Sequence, residues 1–186
     1  MKSFARVLFA SVVVLVLIPV GRPLVDRAWF LYTLATEEPA TLLPNPVASR
    51  PSRLIDSWGN PRSGGRHHEG IDIFAPKDTP ITSTTSGLVM RVGTNNLGGQ
   101  VIWILGPGLE RHYYAHLSRY GEFRPGDRVE PGAVIGYAGN TGNARGGPVH
   151  LHYGIYRNGT ALNPYPRLAA GARAAGPRTR HASSTS

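Results

Sequence analysis

From Leu54 to about Leu168 the chain is built of short β-branched and aromatic runs punctuated by glycine and proline. Val149–His150–Leu151–His152–Tyr153–Gly154–Ile155–Tyr156 alternates between two residue sets with a period of two, the pattern of a strand with unlike faces. The same reading predicts strands at Ile71–Phe74, Pro80–Thr84, Gly87–Val92, Gln100–Leu105, His112–His116, Arg128–Val129 and Val134–Tyr137. Turn signals separate them, among them Thr94–Asn95–Asn96, Gly98–Gly99, Gly106–Pro107–Gly108, Pro125–Gly126–Asp127 and Glu130–Pro131–Gly132. Many short strands with hardly a helical stretch among them predict an all-β fold, an antiparallel sheet or sandwich.

The flanks read differently. Lys2 and Arg6 precede an uncharged apolar run from Val7 to Ile18, closed by Pro19 and Gly21. A basic start followed by a short apolar run has the form of an export signal. It is shorter than the ~20 residues usual for a spanning helix. No clean small-x-small cleavage site follows, so residues 1–21 are expected to be an uncleaved signal-anchor, with a cleaved signal peptide as the alternative, and the bulk of the chain outside the cytoplasm. Residues 22–53 mix prolines with the patch Trp29–Phe30–Leu31–Tyr32 and are expected to form a juxtamembrane linker, with a short helix around Val25 to Ala35. Residues 169–186 are Ala, Gly, Arg and Ser with one His, and are expected to form a disordered basic tail.

Composition narrows the chemistry. The 186 residues suffice for one domain with a core but hardly for two. The formal net charge of +9 favours an anionic surface or partner without choosing between wall polymer, phospholipid and nucleic acid. No stacked aromatic–basic pattern supports nucleic acid, and the export signal argues against it. With no cysteine, a disulfide framework and a thiolate metal site are both excluded, so any metal must be held by His, Asp and Glu.

Six of the seven histidines lie in the strand-rich block: His67–His68, His112 with His116, and His150 with His152. Period two places His150 and His152 on one strand face, where both could ligate a metal or divide ligation from proton transfer; spacing does not decide. His68 and Asp72 are ~13 Å apart on a straight strand, too far to share a ligand with bonds of ~2 Å. The chain must bend between them, and Gly70 permits it. Parity favours His68 over His67 as the partner of Asp72. Glu69 follows a histidine, as in the HExxH zinc helix, but Asp72 stands where that motif needs its second histidine. His112 and His116 share parity and so a face; His112 reads as structural, and spacing ranks no role for His116.

Three separated motifs, His68-x-Gly70-x-Asp72, Tyr114-Ala115-His116-Leu117-Ser118 and His150-x-His152, occur in the order of the M23 peptidases, and the chain resembles their lysostaphin or LytM type. The similarity runs on through Gly126-Asp127-x-Val129-x-x-Gly132-x-x-Ile135-Gly136 and Gly139-Asn140-Thr141-Gly142, covering roughly Asp56 to Pro164. The resemblance implies a compact antiparallel β domain, taken here as 54–168, with its site in a groove over the sheet. It implies that His68, Asp72 and His152 hold Zn2+ with a position left for water, and that His116 and His150 are the catalytic pair. His150 is then expected to be the general base and His116 the oxyanion stabiliser, or the reverse. The implied activity is that of a zinc metalloendopeptidase cutting peptide cross-links of bacterial peptidoglycan. A catalytically silent activator of other wall hydrolases is the alternative. Glycine bridges and D-amino-acid cross-links are both cut within the family. The expected anchor and the lack of a wall-binding repeat point to the second, in a periplasm.

Overall fold

Strand β1 (Ile71–Phe74) shows how the alternation is used: Ile71 and Ile73 are fully buried, Asp72 is half-buried and Phe74 exposed. Strand β8 (His150–Arg157) lies antiparallel beside it, with Asp72 opposite His152 and Phe74 opposite His150. Leu151, Tyr153 and Ile155 therefore enter the core while His150 and His152 face the other way. One face of the sheet is core and the other is site.

The computed structural model describes residues 21–47 and 54–176. Strands β2 (Pro80–Thr82), β3 (Gly87–Asn95), β4 (Gly99–Leu105), β5 (Arg111–Tyr120), β6 (Arg128–Val129), β7 (Val134–Ala138) and β9 (Thr160–Leu162) complete a nine-stranded sheet. Its main path is β1-β8-β5-β4-β3-β6; β7 joins β2 to β5, and β9 borders β8. Each of these ladders is antiparallel, as the sequence pattern predicts. Strand β9, three residues after the turn at Asn158–Gly159, is too short to show a period and has no counterpart among the expected strands.

Strand β5 is longer than expected and changes partner along one edge. Arg111 to Ala115 pair with β8, whereas Leu117 to Tyr120 pair with β7. The register shifts at this changeover, and His116 takes the left-handed φ of 63° there. Such a bulge re-aims a side chain. His112 is accordingly buried on the core side while His116 lines the groove on the opposite side. The shared face expected from parity is thus corrected: parity holds only while the pleat is unbroken.

Beneath the sheet, Thr84 Oγ1 lies 2.8 Å from the hydroxyls of both Tyr114 and Tyr153 and 3.2 Å from His112 Nδ1. Glu110, 1% exposed, accepts from Arg157 at 2.7 Å and Arg167 at 2.8 Å. No buried side-chain nitrogen or oxygen among the described residues lacks a partner, as a stable interior requires.

Residues 21–36 form a helix, α1, which rests on the sheet edge: Arg128 donates to the Asp26 carbonyl and its guanidinium lies 4.2 Å from the Phe30 ring centre. The stretch after it, within the linker expected over 22–53, packs against the domain. Leu43 and Val47 belong to the core, and Val47 bridges Ile81 of β2. Helix α2 (Tyr165–Ala174) likewise runs through the expected start of the tail at Ala169. Leu168 is buried, and a Cβ at Gly171 would meet the Leu43 carbonyl at 2.0 Å, so this helix closes against the 37–47 segment. Among the described residues no helix is long and apolar enough to cross a membrane. The run expected to anchor the chain lies outside them, as do residues 177–186.

Candidate active site

The β1–β8 register sets Asp72 beside His152, and the chain before β1 bends at Gly70 to bring in His68. His68 Nε2 is 3.1 Å from Asp72 Oδ1 and 2.8 Å from His152 Nδ1, and His152 Nδ1 is 3.3 Å from the same oxygen. Donor atoms of these three residues all lie within 4.8 Å of one another. Gly70 is needed here for close approach rather than for a left-handed backbone. A Cβ on it would stand 2.6 Å from the Tyr153 carbonyl and 2.9 Å from His152 Nε2.

Hydrogen bonds and burial set the charge state of the cluster. His68 donates Nδ1–H to the Ser57 carbonyl at 2.7 Å, which leaves the Nε2 lone pair aimed at Asp72 and His152. Burial lowers the His152 pKa against the pull of Asp72, so this imidazole is neutral at pH 7. Burial alone would raise Asp72, but the His152 and His68 rings facing it hold its carboxyl well below the usual range. Two imidazole nitrogens and one carboxylate oxygen converging at these distances match the N/O donor set of zinc, whose catalytic sites take three protein ligands.

His116 and His150 stand next to this cluster, their ring centres 4.8 Å apart and His116 6.0 Å from His152. Each ring is pinned through Nδ1: His116 donates to the Thr141 carbonyl at 2.8 Å and His150 to the Pro148 carbonyl at 2.9 Å. In this tautomer Nε2 of each ring is an acceptor. His150 Nε2 lies 3.8 Å from Asp72 Oδ1. Burial is the main cause lowering the His116 pKa to about 4, so it is neutral at pH 7.

All five expected residues thus meet in one groove of about 900 Å³, walled by Trp103, Tyr113 and Tyr156 of the sheet and by Leu97, Asn143 and Ala144 of the turns. His67 and Glu69 lie on its rim, and His67 Nδ1 bonds the Gly59 carbonyl at 3.1 Å. Some partners were invisible to side-chain reading. The acceptors from Thr141 and Pro148 are backbone carbonyls, which no side-chain pattern marks. Ser57 and Arg62 also touch the donor cluster. Nothing in their spacing marks them, since a serine and an arginine before a strand read as ordinary surface.

An antiparallel sheet with a three-donor cation cluster beside two acceptor imidazoles in an open groove defines a hydrolase-type site. The profile of Peptidase family M23 matches residues 66–164, more than half the chain. The chain belongs to this family. Over 126 residues it is 43% identical to an L-Ala–D-Glu endopeptidase of Bacillus subtilis (strain 168), covering 61% of this chain and 39% of that protein. It is 36% identical over 97 residues to the peptidoglycan DD-endopeptidase ShyC of Vibrio cholerae, covering 52% of this chain and 22% of that protein. The catalytic domain of the antimicrobial peptidase lysostaphin from Staphylococcus simulans superposes with a TM-score of 0.56 at 32% identity, covering 62% of this chain and 90% of that domain. The chain spans well under half the length of these two curated relatives.

Proposed function

We propose that this protein is a zinc metalloendopeptidase that hydrolyses peptide cross-links of bacterial peptidoglycan in the cell envelope. The observation that carries the reading is the convergence of His68, Asp72 and His152 beside two imidazoles whose Nε2 atoms are free to accept a proton. His68 Nε2, Asp72 Oδ1 and His152 Nδ1 would hold the ion. Bound zinc supplies Lewis acidity, which polarises a carbonyl and makes water a competent nucleophile near neutral pH. His150 takes the proton of the attacking water as general base, since its Nε2 reaches toward the donor cluster. Once protonated, the same nitrogen donates to the leaving amine. His116, neutral and acceptor-only at rest, holds the water or a substrate N–H, and stabilises an oxyanion only after gaining a proton. The open groove admits an extended peptide, and the relatives' names favour a cross-link of the DD type or a nearby stem bond. The apolar run from Val7 to Ile18 supports export and inner-membrane attachment, with the groove on the periplasmic side. The meeting of all five residues in one groove supports an enzyme over a silent regulator.

The test pairs metal analysis with wall digestion. Purified protein should carry zinc, and His150→Ala should keep the metal while muropeptide release falls roughly 10²–10⁴-fold. Protein without zinc, or a variant that digests wall as fast as wild type, would end the enzyme reading.

A further inference from the structure

The strap Ser57–Arg62 lies upstream of the family-matched residues 66–164, yet it wraps the donor cluster. The Ser57 carbonyl accepts from His68 Nδ1 at 2.7 Å, and the Ser57 hydroxyl accepts the Asp72 backbone N–H at 3.0 Å. Gly59 N–H and the Asn60 carbonyl clamp the His68 backbone, both at 2.9 Å. Arg62 donates to Asp72 Oδ2 at 2.5 Å. The two oxygens of Asp72 are thereby divided. Oδ1 faces His68 and His152, while Oδ2 faces a guanidinium.

We propose that this strap is the outer shell of the metal centre and that Arg62 is a positioning residue that restricts Asp72 to ligation through Oδ1. The inference rests on the zinc-peptidase reading above. A carboxylate with both oxygens free ligates through either or both. One whose second oxygen is held in a charge-assisted hydrogen bond offers a single donor atom in a fixed direction. The groove side of the ion then stays open to water and substrate. Ser57 complements this by fixing the His68 tautomer and the Asp72 main chain at once. Arg62 also lines the groove and is 38% exposed, so its competing role is a handle for a substrate carboxylate.

Full-length wild type, Arg62→Ala and Arg62→Lys, loaded with Co2+, separate these roles. Visible cobalt absorption weakens when an extra ligand atom joins a tetrahedral ion, so it reports the coordination of Asp72 independently of turnover. Arg62→Ala should show weakened cobalt bands and a kcat lowered about 10–100-fold with KM nearly unchanged. Arg62→Lys, which keeps a cation at Oδ2, should recover most of both. Thermal unfolding of the metal-free proteins should coincide, which separates positioning from folding. Unaltered cobalt bands and kcat in Arg62→Ala, or a loss confined to KM, would overturn the inference while leaving the peptidase standing. Failure of wild type to take up either cobalt or zinc would instead bring down the peptidase reading, and this inference with it.

Discussion

Replacing His112 by glutamine probes how a buried neutral imidazole couples stability to acidity. The ring is 1% exposed, with Nδ1 2.7 Å from the Tyr153 hydroxyl and 3.2 Å from Thr84 Oγ1. Burial, helped by the positive charge of Arg167, lowers its pKa from 6.5 to about 3. Glu110, 4.0 Å from Nε2, would favour the cation, but its carboxylate is already bound by Arg157 and Arg167. The unfolded chain titrates at the ordinary value, so between pH 6.5 and 3 it holds a proton that the folded chain refuses. The stability this group contributes is complete above pH 6.5 and drains away as pH falls toward 3. At about 1.36 kcal/mol per pH unit, the loss between pH 7 and pH 5 is about 2 kcal/mol. Urea unfolding of wild type and His112→Gln at each pH measures it, with chelator present so that metal release does not contribute. His116 titrates in both proteins and cancels. The stability gap between the two should narrow by about 2 kcal/mol from pH 7 to pH 5; parallel curves would refute a neutral His112.

Three further outcomes are expected. Gly70→Ala pushes a methyl group into the His152 ring and the Tyr153 carbonyl, so zinc affinity, read by competition with a chromophoric chelator, should fall roughly 10–100-fold. An unchanged affinity would show that the bend can yield. Glu110→Ala strands Arg167 and Arg157 and should cost roughly 3–5 kcal/mol in urea unfolding, toward the lower end because Arg157 is half-exposed. Asp72→Asn should bind zinc at least about 10-fold more weakly and lose hydrolysis, whereas chelation and re-addition of zinc should switch wild-type activity off and on. Equal affinity in that variant would remove Asp72 from the ligand set.

The parts of this molecule that obey a simple period were legible from residues alone. Strand β8 shows its two faces in its own alternation, and Ile71–Asp72–Ile73–Phe74 does the same over four residues. Parity with Asp72 separated His68 from His67, the missing second histidine of HExxH set Glu69 aside, and strand reach demanded the bend at Gly70. His116 was not legible in this way, since its aim depends on a bulge where β5 trades β8 for β7. That change of partner is a long-range event with no local signature. The Thr141 and Pro148 carbonyls escape for another reason: every residue has a carbonyl, and only the fold selects the two that fix a tautomer. The packing of the 37–47 segment was not legible either, because only the fold brings Leu43 and Val47 onto the core.

Strand β8 interleaves two kinds of information residue by residue, His150 and His152 for the groove, Leu151 and Tyr153 for the interior. Loss or gain of a single residue there would turn histidines inward and bulky side chains outward together. Length changes in this strand are therefore selected against twice over. Substitution at His150 or His152 is different, because it alters the groove and leaves the interior intact. A lineage of this fold can thus shed its chemistry in single steps while keeping its shape, which makes inactive descendants easy to evolve and hard to recognise by fold alone.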